Sequence, residues 1–133
     1  MDCKVRGIRG ATTVTENSAA AMGEAVSELL DEIVARNAFE PEEVVCAIFS
    51  ATADLDAMFP AAIARARPGW DCVPLLDVQQ MQVQGSLPRC IRVLIQVNLN
   101  VPAREIIHPY LRQASALRPD RDLTPLSVSP QTF

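Results

Sequence analysis

The hydrophobic and polar positions of this chain change their period several times, and each period predicts a different element. Between residues 17 and 36 the apolar positions recur at three- and four-residue steps, which predicts an amphipathic helix that begins at Asn17 or Ser18. A shorter helix is expected to begin at Pro60, because proline suits the first turn of a helix. Apolar runs predict strands at residues 3–13, 44–51, 71–78 and 90–97.

The order of these elements predicts an α+β fold. A fifth, short strand is expected after "YLRQASALRP" (residues 110–119), which gives a mixed five-stranded sheet with one main helix on one face. One helix cannot cover both faces, so another copy of the chain is expected against the other face. Residues 1–122 are expected to form a single domain, and the aperiodic residues 123–133 a flexible tail.

The strand "CIRVLIQV" at residues 90–97 contains an arginine near its middle. One of its faces is wholly aliphatic and fits a core under the helix, whereas the other consists of Cys90, Arg92, Leu94 and Gln96. A buried cation is costly unless an anion meets it. The face that carries Arg92 is therefore interpreted as the wall of a pocket or a subunit interface.

Composition and charge exclude several classes of function. The formal net charge is −4, and the chain has one lysine and no basic run, which argues against a nucleic-acid partner. The four cysteines form no CxxC pair and His108 stands apart from them, at an expected surface or helix end, so no zinc site is predicted. The sequence shows no secretory h-region and no membrane-length apolar stretch, so a reduced, cytoplasmic protein without a membrane partner is expected.

Five short motifs follow one another along the chain: "RGIRGATT", "SATADLDAMFPA", "GWDCVPL", "CIRV" and "LRPD". In this order and spacing, over about residues 6–123, the chain resembles the trimeric, monofunctional bacterial chorismate mutases. The resemblance implies a homotrimer whose packed sheets form a pseudo-α/β-barrel, with active sites between subunits. It also implies the rearrangement of chorismate to prephenate, a step toward phenylalanine and tyrosine, without a cofactor.

That rearrangement is intramolecular and needs neither a nucleophile nor a proton transfer. The enzyme has to hold a flexible dianion in a compact shape and to stabilise negative charge that builds on the ether oxygen. By the resemblance, Arg92 is the cation at that oxygen, Arg9 binds a substrate carboxylate, and Tyr110 donates a hydrogen bond to a carboxylate. The alternative for Arg92 is an ion pair with an acidic residue at a subunit interface.

The same resemblance assigns further residues to the site. Arg65 and Arg118 match arginines near the mouth or tail that attract a dianion, whereas Ala62 stands where the family carries a lysine. The apolar wall is matched by Phe59, Ala61, Leu75, Leu76 and Leu117.

Gln80 is the most informative departure from the family pattern. Family members commonly carry a glutamate there, which meets the ring hydroxyl of the substrate and the positive charge that develops on the ring. Asp77 stands where the family often has an uncharged cysteine, so our hypothesis is that Asp77 supplies the charge while Gln80 keeps a polar contact. Residues three apart on a straight strand face opposite ways, so this exchange requires a bulge or a turn.

Two other functions stay open on the sequence. Trimers of the imine-deaminase type have similar packing and also bind carboxylates through an interface arginine, and fold alone does not separate them from the mutases. The combination of Arg9 and Arg92 with "DLDAMFPA" and "LRPD" favours the mutase. A non-catalytic assembly module would show no saturable binding of chorismate.

Overall fold

The structure is a computed structural model that describes residues 3–118. In chain order its helices and strands are β1 (Lys4–Thr13), α1 (Ala19–Asn37), β2 (Val44–Ala51), α2 (Pro60–Arg65), β3 (Leu75–Gln79) and β4 (Cys90–Leu99). Short 3₁₀ helices cover Pro41–Glu43, Trp70–Cys72, Ala103–Glu105 and Arg112–Leu117. The predicted domain end at residue 122 and the predicted tail over 123–133 lie outside the described residues.

The four strands form one mixed sheet in the order β1-β4-β2-β3. Strand β4 is antiparallel to both β1 and β2, whereas β2 and β3 are parallel. The predicted mixed sheet and α+β class are confirmed. The described residues form four strands rather than five, and the place predicted for the fifth strand, after residue 119, lies outside them. Tyr110 makes only an isolated parallel bridge to Ala11. Arg112 then adopts a left-handed φ of 54°, which turns the chain out of an extended path and into a 3₁₀ helix.

Helix α1 has a capping residue at each end, so the prediction of a helix from about Ser18 to Arg36 is confirmed. The Ser18 Oγ accepts a hydrogen bond from the Ala21 N–H at 3.1 Å. Ala38 ends the helix in the left-handed conformation, with a φ of 54°. The apolar stripe that the period predicts is buried and consists of Met22, Ala25, Val26, Leu29, Leu30 and Ile33.

The stripe of α1 packs into one core with the sheet residues that face it. On β4 the alternation follows the prediction: Ile91, Val93, Ile95 and Val97 are buried, and Arg92 belongs to the other face. Helix α1 therefore covers one face of the sheet, and the arginine projects from the opposite one.

That opposite face, which we call the open face, presents apolar side chains to solvent. Leu94 of β4 lies opposite Ile48 of β2, and Ile48 lies opposite Leu76 of β3, so the apolar positions are contiguous across three strands. The open face is defined by Val5, Ile48, Leu76, Val78 and Leu94, each at least 36% exposed. Contiguous exposed apolar surface is typical of an interaction surface.

Among the described residues no helix combines the length and the apolar character needed to cross a bilayer.

Candidate active site

Two arginines project from the sheet on the side of the open face. Arg92 of β4 lies opposite Ala11 of β1, and Arg9 of β1 lies opposite Leu94, two residues further along β4. Diagonal neighbours of this kind are about 7–8 Å apart in antiparallel sheets. The Arg9 side chain points away from α1, because a Cβ on the adjacent Gly10 would point into α1.

Within the described residues, Arg92 is a cation without an anion. Its Nε atom is buried and has no hydrogen-bond partner, and none of the salt bridges there includes it. Its guanidinium does interact with the Cys90 thiol, whose pKa is raised by burial and lowered, to a smaller extent, by Arg92. Arg92 as a whole is half-buried, but its Nε donor is shielded from water without a partner, which is costly, so this arrangement favours an anionic ligand.

Tyr110 lies on the β1 side of Arg92. It forms a bridge with Ala11, the residue opposite Arg92. Its buried ring packs in a small cluster with Ala11 and Ala114, and Leu117 lies against this cluster. The structure thus brings two of the predicted site residues, Tyr110 and Leu117, together at Ala11, which separates them from Arg92.

Gln80 follows β3 and shares a face with Arg92. Its N–H donates to the Ala51 carbonyl at 2.9 Å. Strand alternation places Gln80 on the face of Val78, which is opposite Ser50, itself opposite Arg92. The Gln80 Oε1 atom is buried and accepts no hydrogen bond from the described residues. The arginine half-site, as we call this group, consists of Arg9, Gln80, Arg92 and Tyr110.

A second group of predicted residues lies around helix α2. The Asp77 carboxylate accepts a hydrogen bond from the Ala61 N–H at 2.9 Å, which ties β3 to the first turn of α2. Burial raises the pKa of Asp77, whereas the Ala61 hydrogen bond and the Arg65 guanidinium lower it by less. Phe59, just before the helix, is 71% exposed, and Leu75 is half-buried on β3. The α2 half-site, as we call this group, consists of Phe59, Ala61, Arg65 and Asp77.

Asp77 and Gln80 face opposite sides of the sheet. The register between β2 and β3 is regular along the whole of β3, so the bulge that an exchange of charge would need is not present. Asp77 instead bonds the α2 backbone. Within one chain the structure therefore does not bring the Asp77 carboxylate to the position of the missing glutamate.

Four predicted residues lie outside both half-sites, and two of them, Leu75 and Leu117, are described above. Leu76 is exposed on the open face. Arg118 follows the 3₁₀ helix Arg112–Leu117, at the end of the described residues. In a single chain the predicted site is therefore divided between two places rather than assembled in one.

Comparison with known proteins identifies the family. The profile of the family described as "Chorismate mutase type I" matches residues 5–121. The chain belongs to this family. The chorismate mutase AroH of Bacillus subtilis (strain 168) is 44% identical over 120 residues, which cover 90% of this chain and 94% of that protein. The chorismate mutase AroH of Thermus thermophilus is 46% identical over 117 residues, which cover 87% of this chain and 95% of that protein.

A solved structure of the same family has the same fold. The chorismate mutase from Clostridium thermocellum Cth-682 superposes with a TM-score of 0.80 at 40% sequence identity. The match covers 83% of this chain and 97% of that chain. Membership of the chorismate mutase type I family favours the mutase over the imine-deaminase-type trimer and the assembly module.

Sequence analysis missed the segment that places Tyr110 in this chorismate mutase fold. His108, for which only a surface or helix-end position was expected, accepts the Arg9 backbone N–H on its Nδ1 at 3.0 Å. The two residues are separated by 99 positions, so no local pattern signals the contact. Within residues 3–118 no group of three or more His, Cys, Asp or Glu side chains is placed to hold a metal ion.

Proposed function

We propose that this protein rearranges chorismate to prephenate in composite sites, where the arginine half-site of one copy meets the α2 half-site of another. The observation that carries the proposal is the buried, unpaired Nε of Arg92, which lies beside Arg9 and Tyr110 on an uncovered sheet face. Chorismate is a dianion, so its charge matches this cationic surface. Prephenate then serves the synthesis of phenylalanine and tyrosine.

The reaction is a single intramolecular step in which the ether C–O bond breaks as a new C–C bond forms. Arg92 stabilises the negative charge that develops on the ether oxygen, and this interaction is stronger in the transition state than in the ground state. Arg9 and Tyr110 bind substrate carboxylates and so hold the compact conformer from which the bond forms. No proton is transferred, and no cofactor is required.

Gln80 gives this site a neutral residue where a carboxylate is common in the family. Its unpaired Oε1 can accept a hydrogen bond from the ring hydroxyl of the substrate. It carries no negative charge, so it stabilises the positive charge on the ring less than a carboxylate does. In the composite site, Asp77 from the neighbouring copy can supply part of that charge.

The proposed assembly is a homotrimer whose subunits pack through their open faces. Burial of the exposed Ile48, Leu76 and Leu94 between copies removes apolar surface from water, which stabilises association. The half-sites lie on opposite sides of the sheet, but β3, which carries Asp77, is an edge strand. In the proposed trimer the β3 edge of one copy, with its α2 half-site, therefore lies over the arginine half-site on the open face of the next. In this assembly we expect Leu117 to line the apolar wall of the composite site and Arg118 to lie near its mouth.

Arg92→Ala tests the proposal directly. We expect kcat/KM for the loss of chorismate absorbance to fall by at least about 10²–10³-fold, the usual cost of removing a preorganised donor to a developing oxyanion. Arg36→Ala is a matched control, because within residues 3–118 the ion pair of Arg36 is with Glu32 on the surface of α1. Its activity should equal that of the parent. Full activity of Arg92→Ala would contradict the proposed role of this cation.

We also propose a cytoplasmic location. All four cysteines of the chain are free, which fits a reducing compartment.

A further inference from the structure

Residues 108–113, which we call the strap, follow the outer edge of β1. Ala11 donates its N–H to the Pro109 carbonyl at 3.0 Å and accepts the Leu111 N–H at 2.8 Å. These two bonds bracket Tyr110, but neither involves the Tyr110 backbone. Tyr110 is therefore held at β1 through its two neighbours, and Arg112 makes the next contacts along the strap.

Arg112 fastens the downstream part of the strap. Its Nη1 donates to the Thr13 carbonyl at 3.1 Å, and its Nε donates to the Glu28 carboxylate at 3.0 Å. Its Nη2 forms an ion pair with Glu24 at 3.5 Å. The Arg112 side chain is 23% exposed, but Glu24 and Glu28 are 78% and 48% exposed, so the hydrogen bond to the Thr13 carbonyl is the contact that solvent weakens least. One guanidinium group thus connects the strap to both β1 and α1.

The backbone of Arg112 shows that these contacts matter to the path of the chain. Its φ of 54° lies in the left-handed region, which is unfavourable for a residue that carries a Cβ. The contacts of its side chain offset this unfavourable conformation. The turn at Arg112 leads into the 3₁₀ helix that returns Leu117 to the cluster around Tyr110.

We propose that Arg112 is a positioning residue, which holds Tyr110 beside Arg92 by tying the strap to α1 and β1. The inference rests on the proposed role of Tyr110 in binding a substrate carboxylate. The Arg112 guanidinium is directed to the carboxylates of α1, so it is not itself part of the arginine half-site. Its loss therefore changes the placement of Tyr110 without removing a group that binds the substrate.

The chain contains a single tyrosine, so 3-fluorotyrosine gives one fluorine NMR resonance, which reports on Tyr110 without any need for activity. We expect Arg112→Ala to shift or broaden this resonance. Arg67→Ala is the matched control, because Arg67 also pairs with a carboxylate of α1, Asp31, at 2.9 Å, and is 21% exposed, but lies far from the strap in sequence. The control should leave the resonance unchanged. An unchanged resonance in Arg112→Ala would overturn the proposal.

Kinetics add a second measurement. Arg112→Ala should lower kcat/KM by about ten- to a hundredfold, since small misplacements of a binding group are costly. Arg112→Lys keeps the charge but not the planar fork, so it should restore only part of this loss. In a double-mutant cycle, adding Arg112→Ala to a chain that already carries Tyr110→Phe should lower kcat/KM only slightly further, because the hydroxyl that Arg112 positions is gone. Fully additive losses would show that Arg112 does not act through Tyr110.

The two measurements also separate this proposal from the proposed function. If Tyr110→Phe alone kept full activity, the role of Tyr110 in substrate binding would fail, while the fluorine resonance would still decide whether Arg112 positions the ring. Urea unfolding establishes that each variant is folded. If Arg112→Ala did not fold, Glu28→Gln, which removes only one partner of Arg112, would take its place with the same expected shift of the resonance.

Discussion

Gln80 and Arg92 each carry a buried polar atom without a partner among the described residues. Such atoms are rare in folded proteins, because each costs about 1–3 kcal/mol. Both lie on one face of the sheet, so a ligand that presents an oxygen acceptor and a hydroxyl donor can satisfy both. If the proposed function is correct, substrate binding removes a cost that the unliganded chain carries at these two atoms.

Gln80→Glu is expected to raise kcat/KM by about tenfold, because a carboxylate would face the positive charge that develops on the substrate ring. Steady-state assays of chorismate loss measure the effect. Gln82→Glu introduces the same charge at an exposed position in the loop after β3 and should leave the rate unchanged. A lower kcat/KM for Gln80→Glu would mean that the site needs the amide donor of the glutamine rather than a charge.

At the scale of the elements, helix α1 could be predicted from the sequence, whereas the strap could not. The α1 signals are local: Ser18 caps the helix, and the apolar stripe repeats at the helical period. The turn inside the strap was not predicted, because Arg112 is held in its left-handed conformation by a contact with Thr13, 99 residues away. No local pattern contains that information.

The candidate site was also predictable only in part: its residues and the face of Arg92 could be predicted, but the contact of Asp77 with helix α2 could not. The motifs of the family identified its residues, and the period of the strand placed Arg92 on the face away from α1. The separation of Asp77 from Gln80 also follows from that period, once β3 is known to run without a bulge. The hydrogen bond from Ala61 to Asp77 depends on tertiary packing of α2 against β3, which the sequence does not encode locally.

Gly10→Ala tests the close packing of the strap, β1 and α1. A Cβ at Gly10 would lie 3.0 Å from the Ile33 Cδ1, 3.1 Å from the Pro109 carbonyl oxygen and 3.2 Å from the Leu29 Cδ1. We expect a loss of about 1–3 kcal/mol in the free energy of unfolding, as for other overpacked sites. Urea denaturation measures this loss.

Gly23→Ala is the matched control for this change. A Cβ at Gly23 would meet nothing within 4 Å, so the substitution in helix α1 should raise the free energy of unfolding by about 0.5–1 kcal/mol. Equal effects of the two substitutions would contradict the close approach at Gly10.

At the scale of the whole molecule, the main feature is a site divided between two sides of one sheet. The arginine half-site lies with the open face, whereas Asp77 and helix α2 lie on the side of α1. The contiguous apolar positions of the open face give neighbouring copies a surface on which to pack. Activity and assembly are therefore expected to depend on each other.

Mixing two inactive variants tests this dependence. Arg92→Ala disables the arginine half-site. Phe59→Asp places a negative charge in the α2 half-site, where it repels the chorismate dianion. After the two chains are refolded together in equal amounts, random mixing in a closed ring should leave about a quarter of the composite sites with both half-sites intact. The regained rate of chorismate loss measures that fraction, and each variant refolded alone should regain nothing. No recovery in the mixture would mean that both half-sites serve the same chain.

Strand β1 has its pairing partners far along the chain on both of its edges. One edge pairs with β4, where Lys4 is opposite Leu99, and the other is bonded by the strap. During translation the first strand is therefore made early and waits unpaired until residues 90–113 have followed. Distant strand pairing is slow, and an unpaired edge is a template for association with other chains. Until those residues have been made, the unpaired edges of β1 can associate with other chains, so a ribosome-bound chaperone that covers β1 would be expected to raise the yield of folded protein.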